Sequence, residues 1–353
     1  MTPGWRAAAK SSGTLHIIRR VTIPHSQRQD EFALIDDLVA KLRPSDLPDL
    51  VVGIGDDSSA IRRGPFIDVY TTDTMVDGVH FLSESVVWED LGWKSIAVNL
   101  SDIAAMGAEP LHTLVTLGIP AGFSSIQLES IYTGIDAITS ELGGSVTGGD
   151  IVRADNLFIS VTAVGTIDTR SSENPEPMLR SNSSSGDVIG LAGVVGASSA
   201  GLRFIMAGKP VPEWAQVHNR PIPGVSTGQA LRNAGVRCAI DVSDGLVADL
   251  GHICERSNVA ATVDMANVPV SAELKTMLPK DWQRLALTGG EDYVLLFTCT
   301  EEVFAHAEST IETPLARIGA VSDRADSEQY VTVIDDAGND ITPTQGGWDH
   351  LGE

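Results

Sequence analysis

The sequence predicts a layered α/β protein of two domains, and three observations carry that expectation. Short β-branched runs alternate with stretches whose apolar residues recur at helical spacing. A polar, turn-rich segment containing Asn174-Pro175-Glu176-Pro177 and Ser183-Ser184-Ser185-Gly186 separates two such sets. The length of 353 residues, 42 % of them apolar, suffices for one large or two ordinary cores. The expected organisation is a disordered extension over residues 1–29, a first domain over 30–167, a linker over 168–185 and a second domain over 186–353.

In the first set, Phe32, Leu34, Ile35, Leu38, Val39 and Leu42 give a helix preceded by Asp30 and Glu31. Residues 51–54 and 67–72 are short β-branched runs bounded by Gly, Asp and Pro, hence strands entering acidic turns. Trp93, Ile96, Ala97, Leu100, Ile103 and Ala104 share one helical face, which leaves Asn99 and Asp102 together on the other, and Gly107 stops the helix. A strand over 111–117, a helix over 126–142, a short strand over 145–147 ending in a glycine turn, and a strand over 157–165 follow. The second set comprises a strand over 187–192, a helix from near Ser199, a Pro-rich loop, an acidic turn after Ile240 and a helix over 245–256. It closes with strands over 261–263, 293–298 and 330–334 and a turn at Gly338-Asn339.

Charge narrows the function. With 47 Asp+Glu against 24 Lys+Arg the formal charge is −23, which repels nucleic-acid backbones and anionic membrane surfaces. Cys238, Cys254 and Cys299 form no CxxC pair and point to a reducing compartment. The first 24 residues carry Arg6, Lys10, Arg19 and Arg20 without an apolar stretch, so no signal peptide is expected. No apolar run approaches the ~20 residues of a bilayer span, and the expected location is cytoplasmic.

Several acids fall directly after apolar strands: Asp56-Asp57, Asp73, Asp150, and Asp241 with Asp244. Asp102, flanked by Ile103-Ala104-Ala105 on a packed helix, needs a partner. Carboxylates converging on one crevice repel unless a cation sits among them, and hard oxygen ligands select Mg²⁺. The histidines show no zinc spacing. Magnesium binds through a few carboxylates plus substrate phosphates, which explains how so acidic a chain accepts an anionic ligand. Neither a GxxxxGK[ST] loop nor an HRD/DFG set is present, so a phosphoryl-transfer enzyme would need another scaffold. Gly143-Gly144, Gly148-Gly149 and Gly289-Gly290 could bring backbone amides close to phosphate.

Six strings occur in order: Gly55-Asp56-Asp57; Thr72-Asp73-Thr74 with Gly78-Val79-His80-Phe81; Asn99 to Ala108; Gly148-Gly149-Asp150; Asp241-Val242-Ser243-Asp244-Gly245-Leu246; and Gly289-Gly290-Glu291-Asp292-Tyr293. Together they resemble thiamine-monophosphate kinase, in the superfamily of aminoimidazole ribonucleotide synthetase and selenophosphate synthetase. The Asp77-Gly78-Val79-His80-Phe81 run, Gly289 to Tyr293 and Gly347-Trp348-Asp349-His350 are similar to the kinase in particular, and no cysteine precedes Cys238 as a selenophosphate synthetase would require. The resemblance implies Mg²⁺-assisted transfer of the γ-phosphoryl group of ATP to thiamine monophosphate, giving thiamine diphosphate. It implies a homodimer joined through mixed N-terminal sheets.

Carried over position by position, the Mg²⁺ ligands would be Asp57, Thr71 or Thr72, Asp73, Asp102, Asp150, Asp241 and Asp244. ATP would also meet Gly149, Asp150, Arg180 and Ser243, and the thiamine side His80, Glu291 and Trp348. Arg180 would fork a phosphate, Trp348 would stack on an aromatic ring, and Glu291 would accept from the aminopyrimidine or offset the cation. No residue is expected to act covalently. The chain departs from the family pattern at Ala197, Val294 and Leu351. Competing expectations are another ATP-dependent synthetase of the superfamily and a nucleotide-binding regulator without turnover.

Overall fold

The computed structural model describes residues 34–35, 38–42, 47–170, 174–325, 329–344 and 347. Leu34, Ile35, Leu38 and Val39 are helical, as expected there, and belong to a unit of residues 1–46 and 348–353. Asp30 to Phe32 and Trp348 lie outside the described residues. Residues 47–347 form the other compact unit, which carries two six-stranded sheets.

The first sheet contains β1 (Leu50–Val52), β2 (Ser59–Arg63), β3 (Phe66–Val76), β4 (Glu109–Ile119), β5 (Ser145–Arg153) and β6 (Phe158–Asp168), in the order β1-β2-β3-β6-β4-β5. All pairs are antiparallel except β4 with β5. In β3, Ile67, Val69, Thr71 and Met75 are buried while Tyr70, Thr72 and Thr74 are exposed, the two-residue alternation of a sheet covered on one side.

The cover is α1 (Trp88–Ala105) and α2 (Ser125–Leu142). A capping box of Ser124 and Gln127 opens α2. The helices cross at glycine: a Cβ on Gly92 would lie 1.9 Å from the Ile131 carbonyl, and one on Gly134 1.8 Å from that of Glu89. Only hydrogen fits at such a crossing.

The second sheet contains β7 (Val188–Ala192), β8 (Cys238–Asp241), β9 (Val259–Asp264), β10 (Leu295–Cys299), β11 (Leu315–Asp323) and β12 (Val331–Ile334), in the order β12-β9-β11-β7-β10-β8. Only β12 and β9 run parallel. Its helices are α3 (Ala197–Met206), α4 (Val225–Asn233), α5 (Leu246–Ser257), α6 (Ala272–Met277), α7 (Trp282–Thr288) and α8 (Glu301–Thr310). Among the described residues no helix is long and apolar enough to cross a membrane.

The structure departs from the sequence reading in three instructive places. The polar side of α1 does not face water: Asn99 is 0 % exposed and accepts through Oδ1 from the Asp73 amide of β3, while Ser101 of the same helix donates to Asp241 at the end of β8. Gly148-Gly149-Asp150 is no turn but the middle of β5, where a register shift beside Thr113 and Leu114 accommodates Gly149 at φ +156°. The strand expected from residue 293 starts at Leu295, because Glu291 and Tyr293 take left-handed φ values of 65° and 52°.

Candidate active site

Three carboxylates converge where α1 passes between the sheets. Asp57 follows β1, Asp102 lies on α1 and Asp241 ends β8, and one oxygen from each falls within 4.8 Å of the others. A different donor braces each acid. Arg180, on a 3₁₀ turn over Arg180–Asn182, reaches Asp57 Oδ1 with its Nη2 at 2.5 Å. The Thr71 hydroxyl donates to Asp102 Oδ2, and Ser101 Oγ donates to Asp241 Oδ2 at 2.6 Å. Among the described residues, neither the buried Asp57 Oδ2 nor Arg180 Nε has a hydrogen-bond partner.

The electrostatics reflect too many anions in a dry place. Burial raises the Asp102 carboxyl well above its ordinary range, and Asp73, Asp241 and Asp57 raise it further. Asp241 is pushed up to about 7 by burial and by Asp57. Asp56, whose oxygens accept from the backbone amides of Asp57 and Arg180, is likewise raised to about 7 by burial and Asp57. Burial works against the Arg180 charge, but Asp57 outweighs it and holds the guanidinium firmly protonated. An all-oxygen cluster with an orphaned buried carboxylate oxygen fits a hard divalent cation.

The remaining expected residues fall into distinct settings. Asp73 lies beside the cluster, its amide donating to Asn99 Oδ1 at 3.1 Å. Thr72 is turned to the opposite, open face of the sheet, where its hydroxyl donates to the Val161 carbonyl. Asp150 and Gly149 stand on the fully exposed β5, and neither of the two carboxylate clusters found among the described residues includes Asp150. Asp244 belongs to a second group with Asp249 and His252, again within 4.8 Å. Ser243 supplies the carbonyl that accepts from the Glu291 amide at 2.7 Å. His80 accepts through Nδ1 from the Val76 amide at 3.1 Å.

Sequence reasoning missed several members. Asp249, on the first turn of α5, accepts from the amides of Asp244 and Gly245 and so shapes the turn that carries Asp244. Lys94 and His218 both reach Glu291. Asp56, singled out with Asp57 in the sequence but given no role there, accepts from the Arg180 amide. A lysine inside the apolar run from Leu91 to Ala105 was the available signal for Lys94.

The family model for the AIR synthase related protein N-terminal domain matches residues 55–167, and that for the C-terminal domain matches residues 185–331. The chain is 33 % identical over 313 residues to the thiamine-monophosphate kinase of Bacillus subtilis, covering 85 % of this chain and 93 % of that one. Among solved structures, AaThiL complexed with AMPPCP and TMP shares the fold with a TM-score of 0.78 at 31 % identity, over 94 % of this chain and 100 % of the other. The thiamine-monophosphate kinase of Stenotrophomonas maltophilia gives a TM-score of 0.69 at 37 % identity, over 86 % and 96 %.

Proposed function

Because the chain belongs to the thiamine-monophosphate kinase family, within the AIR synthase related proteins, we infer that it phosphorylates thiamine monophosphate with ATP. A terminal phosphate oxygen of the acceptor attacks the γ-phosphorus. The bond from that phosphorus to the β–γ bridging oxygen breaks, and the products are thiamine diphosphate and ADP. The acceptor is already ionised near neutral pH, so no side chain has to remove a proton. The observation that carries the reading is the braced cluster of Asp57, Asp102 and Asp241 with its orphaned oxygen.

Those three acids would hold Mg²⁺, with Asp73, Asp150 and Asp244 as further proposed ligands. Of the two candidate threonines, Thr71 is kept, because its hydroxyl is already at Asp102. Bound Mg²⁺ would supply the positive charge that phosphates and carboxylates together lack. Arg180 fixes the Asp57 carboxylate and, through its unpaired Nε, is proposed to meet an ATP phosphate. Gly149 and Ser243 complete the proposed ATP side, and His80, Glu291 and Trp348 the thiamine side. We also propose two domains with the boundaries expected from the sequence, a homodimer joined through the first sheet, and a cytoplasmic location.

The test is incubation of the purified chain with ATP, Mg²⁺ and thiamine monophosphate, with chromatography of the thiamine species. Thiamine diphosphate formed one for one with ADP supports the reading. Hydrolysis of ATP without it, or no reaction, overturns it.

A further inference from the structure

A second buried polar network gathers on Glu291. Lys94, whose side chain is 6 % exposed, places Nζ 3.0 Å from Glu291 Oε1. His218, 7 % exposed, places Nδ1 3.2 Å from the other oxygen, Oε2. Ser198 Oγ lies 3.0 Å from the same Nδ1. A Ser–His–acid relay needs one partner on each ring nitrogen, so this arrangement is not one. The carboxylate requires a proton on Nδ1, which fixes that tautomer.

Glu291 itself is held hard. It takes a left-handed φ of 65°, its amide donates to the Ser243 carbonyl, and a Cβ on the preceding Gly290 would lie 2.3 Å from that same carbonyl oxygen. Non-glycine residues keep such a backbone only where their surroundings over-determine it, commonly at ligand clamps. The Glu291 side chain nevertheless remains 26 % exposed. Lys94 and Glu291 cancel in charge. The edge that Glu291 shows to solvent is therefore an acceptor without net negative charge, suited to N–H donors more than to a bare cation.

Resting on the kinase reading above, we propose that Lys94 and His218 are positioning residues that clamp one oxygen each of Glu291, presenting it as a hydrogen-bond acceptor to the aminopyrimidine and not as counter-ion to the thiazolium. The probe is the monophosphate of the thiamine analogue whose exocyclic amine is replaced by a carbonyl, since it keeps the cation and puts an acceptor where the exocyclic N–H donor was. Wild type is expected to show a KM for this analogue at least ~10-fold above that for thiamine monophosphate, the scale of a lost hydrogen bond to a charged group.

Lys94→Met should raise the KM for thiamine monophosphate about 10-fold or more, leave the KM for ATP within about two-fold, and shrink the discrimination between the two acceptors. In a Glu291→Gln background the same substitution should add less than about two-fold, because Lys94 acts through Glu291. Glu291→Gln is nearly isosteric and keeps the test open if Lys94→Met fails to fold. Equal KM values for the two acceptors with wild type, or a full effect of Lys94→Met in the Glu291→Gln background, overturns the inference while leaving the kinase reading intact. Wild type without thiamine monophosphate turnover overturns both.

Discussion

A carboxylate buried beside two others must take a proton or meet a cation, and Asp57 is built for the second outcome: Arg180 holds one of its oxygens while the other has no partner among the described residues. Asp57→Asn is therefore expected to cut kinase activity roughly 10²–10³-fold, the scale of losing one electrostatic clamp, and to raise the Mg²⁺ concentration giving half-maximal rate. Thr72→Val, on the opposite face of β3, should leave initial rates within about two-fold of wild type. Equal losses from both would remove the basis for choosing Thr71. His218 gives a separate pH signature. Burial, with Lys94 assisting, lowers its pKa from 6.5 to about 4. The folded state thus refuses a proton that the unfolded chain accepts below 6.5, so this stabilisation is complete above pH 6.5 and is lost as pH falls towards 4. The loss amounts to about 3 kcal/mol. His218→Gln should flatten the decline of the urea midpoint between pH 7 and 4; an unchanged slope would assign the decline to other groups. Asp57, Asp102 and Asp241 were legible because an acid closing an apolar strand, or interrupting an apolar helix, has to be explained. Lys94 was less so, since a lysine in such a helix ordinarily snorkels to water. His218 sits after a proline-rich stretch without periodicity, where nothing marked it as buried.

Elements with a clear period were legible close to their true bounds, α2 and β6 among them, because packing and propensity agree there. Those that escaped were β2, β11, α4, α8 and the short helices α6 and α7, most of them too short to establish a period, and β5 beyond its first three residues, where Gly148-Gly149 reads locally as a turn. In β5 the tertiary contact decides: a Cβ on Gly149 would lie 1.8 Å from the Val115 carbonyl, so glycine serves close strand pairing. The same logic separates two helical glycines that sequence treats alike. Gly134 on α2 meets the Glu89 carbonyl of α1, whereas a Cβ on Gly251 of α5 meets nothing within 4 Å. Gly134→Ala should destabilise the protein by about 1–3 kcal/mol, because the two helices have to move apart. Gly251→Ala should stabilise it by about 0.5–1 kcal/mol through helix propensity and a less free unfolded chain. Thermal and urea unfolding of the two variants measure both signs, and a stabilised Gly134→Ala would refute the tight crossing of α1 and α2.

On the scale of the whole molecule, local patterns could place acids at strand ends but not show that α1 lies between two sheets, which is what brings Asp102 to Asp57 and Asp241 and buries Asn99. Nor could they show what becomes of the first sheet's uncovered face. That face exposes Tyr70, Thr72, Thr74 and Leu114, and the neighbouring edge strand β5 is exposed along its whole length, including Val146, Ile151 and Val152. A long edge with apolar side chains pairs with another chain unless it is covered or charged. If the proposed homodimer uses this face, Leu114, 43 % exposed within one chain, becomes buried on association. An aspartate there costs little in the separate chain and much in the dimer, because a buried carboxylate without a partner is strongly disfavoured. Wild type should therefore show twice the mass of one chain in light scattering at micromolar concentration, and Leu114→Asp the mass of one, with its thermal transition retained. A Leu114→Asp protein that keeps the doubled mass would move the interface elsewhere, and a wild type that stays single on concentration would leave the open face without a dimer to explain it.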